Sequence, residues 1–390
     1  MGKEFVCPVC GNRDPGKMGY YLGVPYCARC FKVENNMLTR TNNPSSPTEL
    51  FLPWDLSKEQ MDLSDHIIEN FTKGKDTLLY AVCGSGKTEV SYGVIDYAMR
   101  QNMTVGFALP RRDVVIELFE RLKTAFPYKK IVAVYGGHCD ETKGDCIILT
   151  THQLYRYPSY FDLLVMDEVD AFPYAGNAQL QQDFKNSLKG NCLLMSATPS
   201  KALVKEFSAM GHEVLLLHTR FHKQPIPVPK AVMLHGNAKY RFVIDKIASY
   251  QRKGYPTFVF VPSIEMASTV YRILSMGLIG GNYVSSKRNN KEEIIDDFKS
   301  GKYSFLVTTA ILERGVTVKN LNVFVMNAGS RIYDAASLVQ IAGRAGRKID
   351  APHGEVYFIT DRPTEAIQKA ISEIEYCNTF LSDLSKRNRK

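Results

Sequence analysis

The sequence predicts an α/β chain: two parallel-sheet domains in tandem behind a small cysteine-rich module. Three observations carry this. Four of the nine cysteines, Cys7, Cys10, Cys27 and Cys30, fall in the first 50 residues as two CxxC pairs, while the other five are scattered singly. From about residue 50, short apolar runs alternate with longer amphipathic stretches, the pattern of strands and helices in a parallel sheet covered on both faces. The alternation stops near Leu217, passes Pro225, Pro227 and Pro229 at every second position, and then restarts. Such a segment can continue neither a helix nor a central strand.

Composition sets the outer bounds. At 390 residues, 45% hydrophobic and 23% charged, the chain has length for two or three domains with cores of their own. Disorder, collagen-like repeats and small disulfide scaffolds are excluded. No apolar run approaches the roughly 18 residues a spanning helix needs, and the first residues hold no signal-peptide core, so the sequence reads as cytosolic. In that compartment cysteines are expected to be reduced, buried or bound to metal. The net charge of +9 fits a polyanionic partner and a solvated basic surface equally well.

Taken in order, residues 1–45 form the cysteine module, and the N-terminal region ends in the polar, proline-containing stretch Thr41 to Pro47, read as a linker. Residues 50–222 form the first α/β domain. Its strands are read at Thr77–Val82, Thr104–Leu109, Ile131–Tyr135, Cys146–Leu149, Phe161–Met166 and Cys192–Met195, with a helix at Asp113–Ala125. Residues 230–362 form the second. Its strands are read at Thr257–Val261, Asn282–Ser285, Tyr303–Val307, Asn322–Asn327 and Gly354–Ile359, with helices at Ile264–Ser275 and Lys291–Lys299. Residues 363–390 are a C-terminal helix and a basic tail, the tail expected to be a solvated end.

The segment Ala81-Val82-Cys83-Gly84-Ser85-Gly86-Lys87-Thr88 sits between a predicted strand and a predicted helix. It fits a phosphate-binding loop, with Ala81 in place of the first glycine. Gly84 and Gly86 let backbone N–H groups wrap phosphates, Lys87 reaches the β and γ oxygens of ATP, and the Thr88 hydroxyl ligates Mg2+. Ser85 and Glu89, in the same stretch, count among the nucleotide-contacting residues. Further on, the apolar strand ending at Met166 runs into Asp167-Glu168-Val169-Asp170. Asp167 is placed to hold Mg2+, and Glu168 to orient and deprotonate the attacking water. In the second domain, Gln340-Ile341-Ala342-Gly343-Arg344-Ala345-Gly346-Arg347 lies where a helix is predicted, although glycine costs about 1 kcal/mol relative to alanine in a helix interior. Arg344 and Arg347, at i and i+3, then share a helical face as a fork suited to a γ-phosphate.

The two CxxC pairs are separated by sixteen residues, the spacing of paired knuckles that offer four thiolates to tetrahedral Zn2+. A redox pair is the alternative, but one CxxC would serve for that. In so short a module the zinc is first of all structural. Its tyrosines and basic residues suit single-stranded nucleic acid or a small packed core.

In combination these motifs resemble the superfamily-2 helicases and translocases, built from two RecA-like domains with ATP between them. The resemblance covers about Leu50 to Asp361. Ser196-Ala197-Thr198 matches the segment coupling hydrolysis to domain movement. Pro110, Arg111 and Thr151 match first-domain positions that contact the nucleic-acid strand, and Ser263 and Thr309 match those of the second. Gly315 corresponds to a position near the nucleotide. Gln60 stands where such proteins place a glutamine that reads adenine; an exposed helix-start glutamine is the alternative.

With the four-cysteine module, the Asp167-Glu168-Val169-Asp170-Ala171-Phe172-Pro173-Tyr174 segment and the Thr309 to Gly315 segment, the whole chain resembles the ComFA family, relatives of the primosomal helicase PriA. That resemblance implies a DNA-stimulated ATPase acting on incoming single-stranded DNA at the inner face of the cytoplasmic membrane. It also implies work with ComFC, DprA and the ComEC channel. It leaves the oligomeric state open. Two other readings stay in play: a restart or repair helicase of PriA type, and a non-enzymatic zinc-containing DNA-binding adaptor.

Overall fold

The computed structural model describes residues 6–7, 12–21, 24–27, 38, 47–52, 54–82, 84–138, 140–171, 173–217, 220, 224–285, 287–309, 318–346, 351 and 354–387, the last eight of these by backbone alone. The chain divides into two compact units, Met1–Ala81 with Gly86–Leu217, and His218–Lys390 with Val82–Ser85.

Near the N-terminus, β1 (Met18–Tyr21) and β2 (Val24–Cys27) pair as an antiparallel hairpin, with Met18 opposite Cys27. Leu38 donates its backbone N–H to the Arg156 carbonyl at 3.1 Å and packs against the core of the first large sheet.

In the first unit, helix α1 (Lys58–Thr72) starts at a capping box: Ser57 Oγ accepts the Gln60 N–H, and Gln60 Oε1 accepts the Ser57 N–H. There follow β3 (Thr77–Ala81), α2 (Lys87–Arg100), β4 (Val105–Leu109), α3 (Arg112–Ala125), β5 (Ile131–Val134), β6 (Cys146–Thr150), β7 (Phe161–Asp167), α4 (Ala178–Ser187), β8 (Leu188–Ser196), α5 (Lys201–Ala209) and β9 (Glu213–Leu217). The strands form one parallel sheet ordered β5-β6-β4-β7-β8-β3-β9. Alternate residues of each strand enter different cores, as a pleated sheet buried on both faces requires. Leu79, Phe107, Ile148 and Val165 lie in one, and Leu78, Ala108, Ile147 and Leu164 in the other.

The second unit repeats the plan with β10 (Lys230–Met233), α6 (Ala238–Gln251), β11 (Thr257–Phe260), α7 (Ile264–Leu274), β12 (Gly281–Val284), α8 (Lys291–Lys299), β13 (Phe305–Thr308), β14 (Asn322–Val325), α9 (Ala335–Ala342), β15 (Val356–Thr360) and α10 (Glu365–Arg387). Its parallel sheet is ordered β10-β15-β14-β11-β13-β12. Phe258, Phe260, Val323 and Phe358 fill one core, and Val259, Val307, Phe324 and Ile359 the other.

Three features depart from the sequence reading. β8 begins at Leu188, ahead of its apolar part, on residues that are largely exposed. β10 is an edge strand with no buried residue, so no apolar run announced it. The C-terminal helix is part of the second core rather than an appendage. Its Ile367, Ala370, Ile374 and Cys377 pack with Leu338, Ile341 and Ala342 of α9, and the Asn378 amide both accepts from and donates to the Ile226 backbone at 2.9 Å. The helix takes in Lys386 and Arg387 of the basic tail. No described helix is long and apolar enough to cross a membrane.

Candidate functional site

The phosphate loop joins β3 to α2. Gly84 and Gly86 both have φ of 81°, a left-handed conformation that other residues adopt only at a cost. Gly86 is the N-cap of α2, and no side chain caps that helix, which leaves its N-terminal end open to an anion. A Cβ at Gly86 would overlap Gln60 Nε2. Gln60 is itself buried, and its Oε1 accepts the Ser57 N–H at 2.9 Å. The acceptor end of this glutamine thus caps its own helix, but the residue is buried where the helix-start alternative expects it exposed, and its amino end lies against the loop.

At the carboxyl end of β7, Asp167 is buried and ion-paired with Lys87. The same carboxylate oxygen accepts the Glu168 N–H at 2.8 Å. Glu168 has φ of 61°, a left-handed turn on a residue with a side chain, so the chain reverses sharply where the strand ends. Two residues on, the Asp170 carboxylate accepts hydrogen bonds from Ser196 Oγ and Thr198 Oγ1, each 2.6 Å. This link between the acidic segment and the Ser-Ala-Thr segment was not foreseen. The local signal was the third acid itself, in a motif where only the first two had been given work.

Thr88 begins the second turn-position of α2, and its carbonyl accepts from Ser91 Oγ at 2.6 Å. Glu89 Oε1 pairs with Arg121 of α3 at 2.5 Å, while its Oε2 stays beside the loop, 3.7 Å from where a Cβ on Gly86 would sit. Burial works against the Arg121 guanidinium, but Glu89, Tyr92 and Glu117 outweigh it and raise its pKa. Burial likewise pushes the Tyr92 hydroxyl up. Glu89 therefore ties α2 to α3 in this structure. Its second carboxylate oxygen remains on the loop side.

In the second unit the helix expected across 340–347 stops at Ala342. Gly343 is its C-cap and Gly346 is left-handed, φ 61°. The two glycines therefore end a helix instead of weakening its interior, and the same-face argument for the two arginines does not apply. Arg344 is buried in the turn that follows. Arg347 and Gly315 lie outside the described residues.

The expected nucleic-acid positions differ among themselves. Pro110 is buried just past β4, and Arg111 is half-buried and paired with Asp113. Thr151 is wholly buried, and its Oγ1 has no partner among the described residues. Ser263 Oγ caps α7 by accepting the Met266 N–H at 3.2 Å. Thr309 is half-buried after β13, its carbonyl accepting from Thr308 Oγ1 at 3.1 Å. The Thr151 hydroxyl is thus enclosed, and the Ser263 hydroxyl caps a helix. The sequence reading passed over a neighbouring group: Tyr135 and His138 stack at 4.9 Å, with the Arg112 guanidinium 4.8 Å from the tyrosine ring centroid.

Of the four N-terminal cysteines, Cys10 and Cys30 lie outside the described residues. Cys7 and Cys27 are both buried. The Cys7 N–H donates to the Asn12 carbonyl at 3.0 Å, and the Asn12 side-chain amide donates to Cys27 Sγ at 3.4 Å. An N–H aimed at sulfur suits a thiolate. Among the described residues no group of three or more His, Cys, Asp or Glu is arranged to hold a metal.

Residues 54–201 match the family described as type III restriction enzyme, res subunit, and residues 238–348 match the helicase conserved C-terminal domain. Among solved structures, the fold is similar to that of RecG bound to a three-way DNA junction, with a TM-score of 0.60 at 19% identity over 90% of this chain and 50% of RecG. Two RecA-like parallel-sheet units carrying these helicase domains define a DNA-dependent ATPase of the superfamily-2 helicase class, for which the family implies ATP and Mg2+. The chain is 34% identical to the competence protein ComFA of Bacillus subtilis, over 96% of this chain and 86% of that one. To ComFA of Streptococcus pneumoniae it is 34% identical over 97% and 91%. It belongs to the ComFA family.

Proposed function

We propose that this protein is an ATP-driven translocase on single-stranded DNA that assists uptake of transforming DNA across the cytoplasmic membrane during natural competence. The observation that carries the reading is the joining of Lys87 on the phosphate loop to Asp167 at the end of β7, in a chain alignable over nearly its full length with competence proteins. Lys87 would bind the β and γ phosphates. Thr88 and Asp167 would hold Mg2+, whose part is to neutralise phosphate charge. Glu168 would take the proton of the attacking water, and Arg344 and Arg347 would stabilise the charge developing on the γ-phosphate. Gly84, Ser85 and Gly86 would contribute the loop backbone, with Gln60 supporting it from α1 and Gly315 lying near the nucleotide.

Repeated hydrolysis would move the strand past Pro110, Arg111 and Thr309, with Thr151 and Ser263 contributing through backbone. We favour translocation over unwinding because no wedge element was identified in the sequence. Family resemblance extends the proposal to a peripheral position at the inner membrane face and to work with ComFC, DprA and the ComEC channel. Cys7, Cys10, Cys27 and Cys30 would bind one structural Zn2+; buried Cys7 and Cys27, joined through Asn12, support this.

The deciding experiment is ATP turnover by the purified protein titrated with single-stranded DNA, duplex DNA and RNA at several salt concentrations, since phosphate contacts make binding salt-dependent. Stimulation by single strands, together with displacement of a protein block from a strand end without separation of blunt duplex, is expected. Absence of turnover in the wild-type protein ends the proposal. Elemental analysis tests the module separately: about one zinc per chain is expected, and metal-free folded protein refutes the site.

A further inference from the structure

Arg220 belongs to none of the motifs, yet among the described residues it heads the largest fully buried side chains, at 1% exposure. It stands three positions past β9, in the stretch of chain that leads into the second unit. A guanidinium withdrawn from water is tolerated only when its N–H groups find partners. Here Nη1 donates to the Gly346 carbonyl at 2.7 Å and the Ala345 carbonyl at 3.1 Å, and Nη2 donates to the Gly343 carbonyl at 3.1 Å.

These carbonyls belong to the turn after α9, where the helix leaves acceptors without intrahelical partners and its dipole favours a cation. The turn reads Gly343-Arg344-Ala345-Gly346-Arg347. Arg344 lies between two of the bonded carbonyls, and the Gly346 carbonyl is part of the peptide bond to Arg347. Three acceptors held by one rigid planar fork fix the path of this backbone and the direction in which Arg344 leaves it. A lysine ammonium, a single point on a flexible stem, does not hold three carbonyls in one geometry.

We propose that Arg220 is a positioning residue for ATP hydrolysis, holding the turn that carries Arg344 of the arginine pair assigned above to the γ-phosphate. The proposal rests on the assignment of that arginine pair to the phosphate. The test uses the full chain with saturating single-stranded DNA and compares wild type with Arg220→Lys, Arg220→Met, Arg344→Ala and the double variant Arg220→Lys/Arg344→Ala. Expected for Arg220→Lys is a kcat lowered about tenfold or more, with the KM for ATP and the affinity for DNA within about threefold of wild type. Arg220→Met should be at least as slow. The double variant should be no slower than Arg344→Ala alone, because both changes remove the same function.

A kcat for Arg220→Lys within about twofold of wild type overturns the proposal. So does a double variant whose loss is the product of the two single losses, or a kcat that falls in step with both affinities. If Arg220→Met does not fold, Arg220→Lys decides; if Arg220→Lys also fails to melt cooperatively, Arg220 is a folding residue and the proposal falls. Wild-type turnover by Arg344→Ala overturns instead the assignment of the arginine pair, an outcome distinct from any result at Arg220.

Discussion

Lys87 and Asp167, eighty positions apart in the chain, are ion-paired across the carboxyl edge of the first sheet, although β3 and β7 are separated there by β8. The acid that pairs with the lysine also holds the backbone of Glu168. On the proposed reading, Lys87→Ala removes the phosphate contact, and it leaves the buried Asp167 carboxylate without its cation; Glu168→Gln preserves shape and removes only the assigned base. Both should lower ATP turnover by about a thousandfold or more. DNA affinity, measured by fluorescence anisotropy, should stay near wild type. Parallel loss of DNA binding would point to misfolding instead.

Gly86→Ala tests the contact between the loop and α1. The left-handed φ costs a residue with a side chain about 1–2 kcal/mol, and the new methyl meets Gln60 Nε2. The expected result is a lower melting temperature and weaker binding of a fluorescent ATP analogue. Adding Gln60→Ala removes the overlap but neither the backbone cost nor the lost helix cap, so the double variant should recover nucleotide binding only in part.

Asp170 joins two segments through Ser196 and Thr198. Hydrogen bonds to a charged group contribute about 1.5–3 kcal/mol each, so Asp170→Ala should destabilise the first unit more than Ser196→Ala or Thr198→Ala does. In a thermal-unfolding cycle the serine and threonine substitutions should have little further effect once Asp170 is gone. Full additivity would show that the contacts are independent.

At the outer edge of the second sheet, burial works against the charged Glu355 carboxylate, but hydrogen bonds from Lys230, Tyr250 and Tyr357 outweigh it and hold its pKa down at about 2. Burial and this carboxylate push the Tyr250 hydroxyl up. A depressed folded-state pKa gives stability that is full above the ordinary value of 4.5 and is lost as pH falls toward 2. Denaturant unfolding across that window should show the wild type losing more stability than Glu355→Gln. Equal slopes would mean that the cluster contributes nothing through ionisation.

Much of the fold was legible because strands of a parallel sheet are buried on both faces and so appear as apolar runs; β6 and β13 are of this kind. β10 was not, since its residues are exposed and follow three prolines. The phosphate loop and the acidic strand end were legible because their chemistry is local: a few consecutive residues make the site. Gly343 and Gly346 were noticed but given the wrong setting, because the period of α9 continues past the point where the left-handed turn ends it. Arg220 and the Asp170 bridge had no local signature. Each depends on a partner more than 20 positions away, which periodicity and spacing do not encode.

Every strand of the first sheet runs the same way, so the loops after β3, β4, β6, β7 and β8 all emerge on one edge. Each is separated from its neighbour in sequence by a whole crossover segment packed on the sheet. An insertion or substitution in one loop therefore leaves the register of the others intact. That arrangement makes the edge evolvable in pieces: the loops after β3 and β7, to which the proposal assigns the nucleotide, can stay fixed while the turns after β4 and β6 drift.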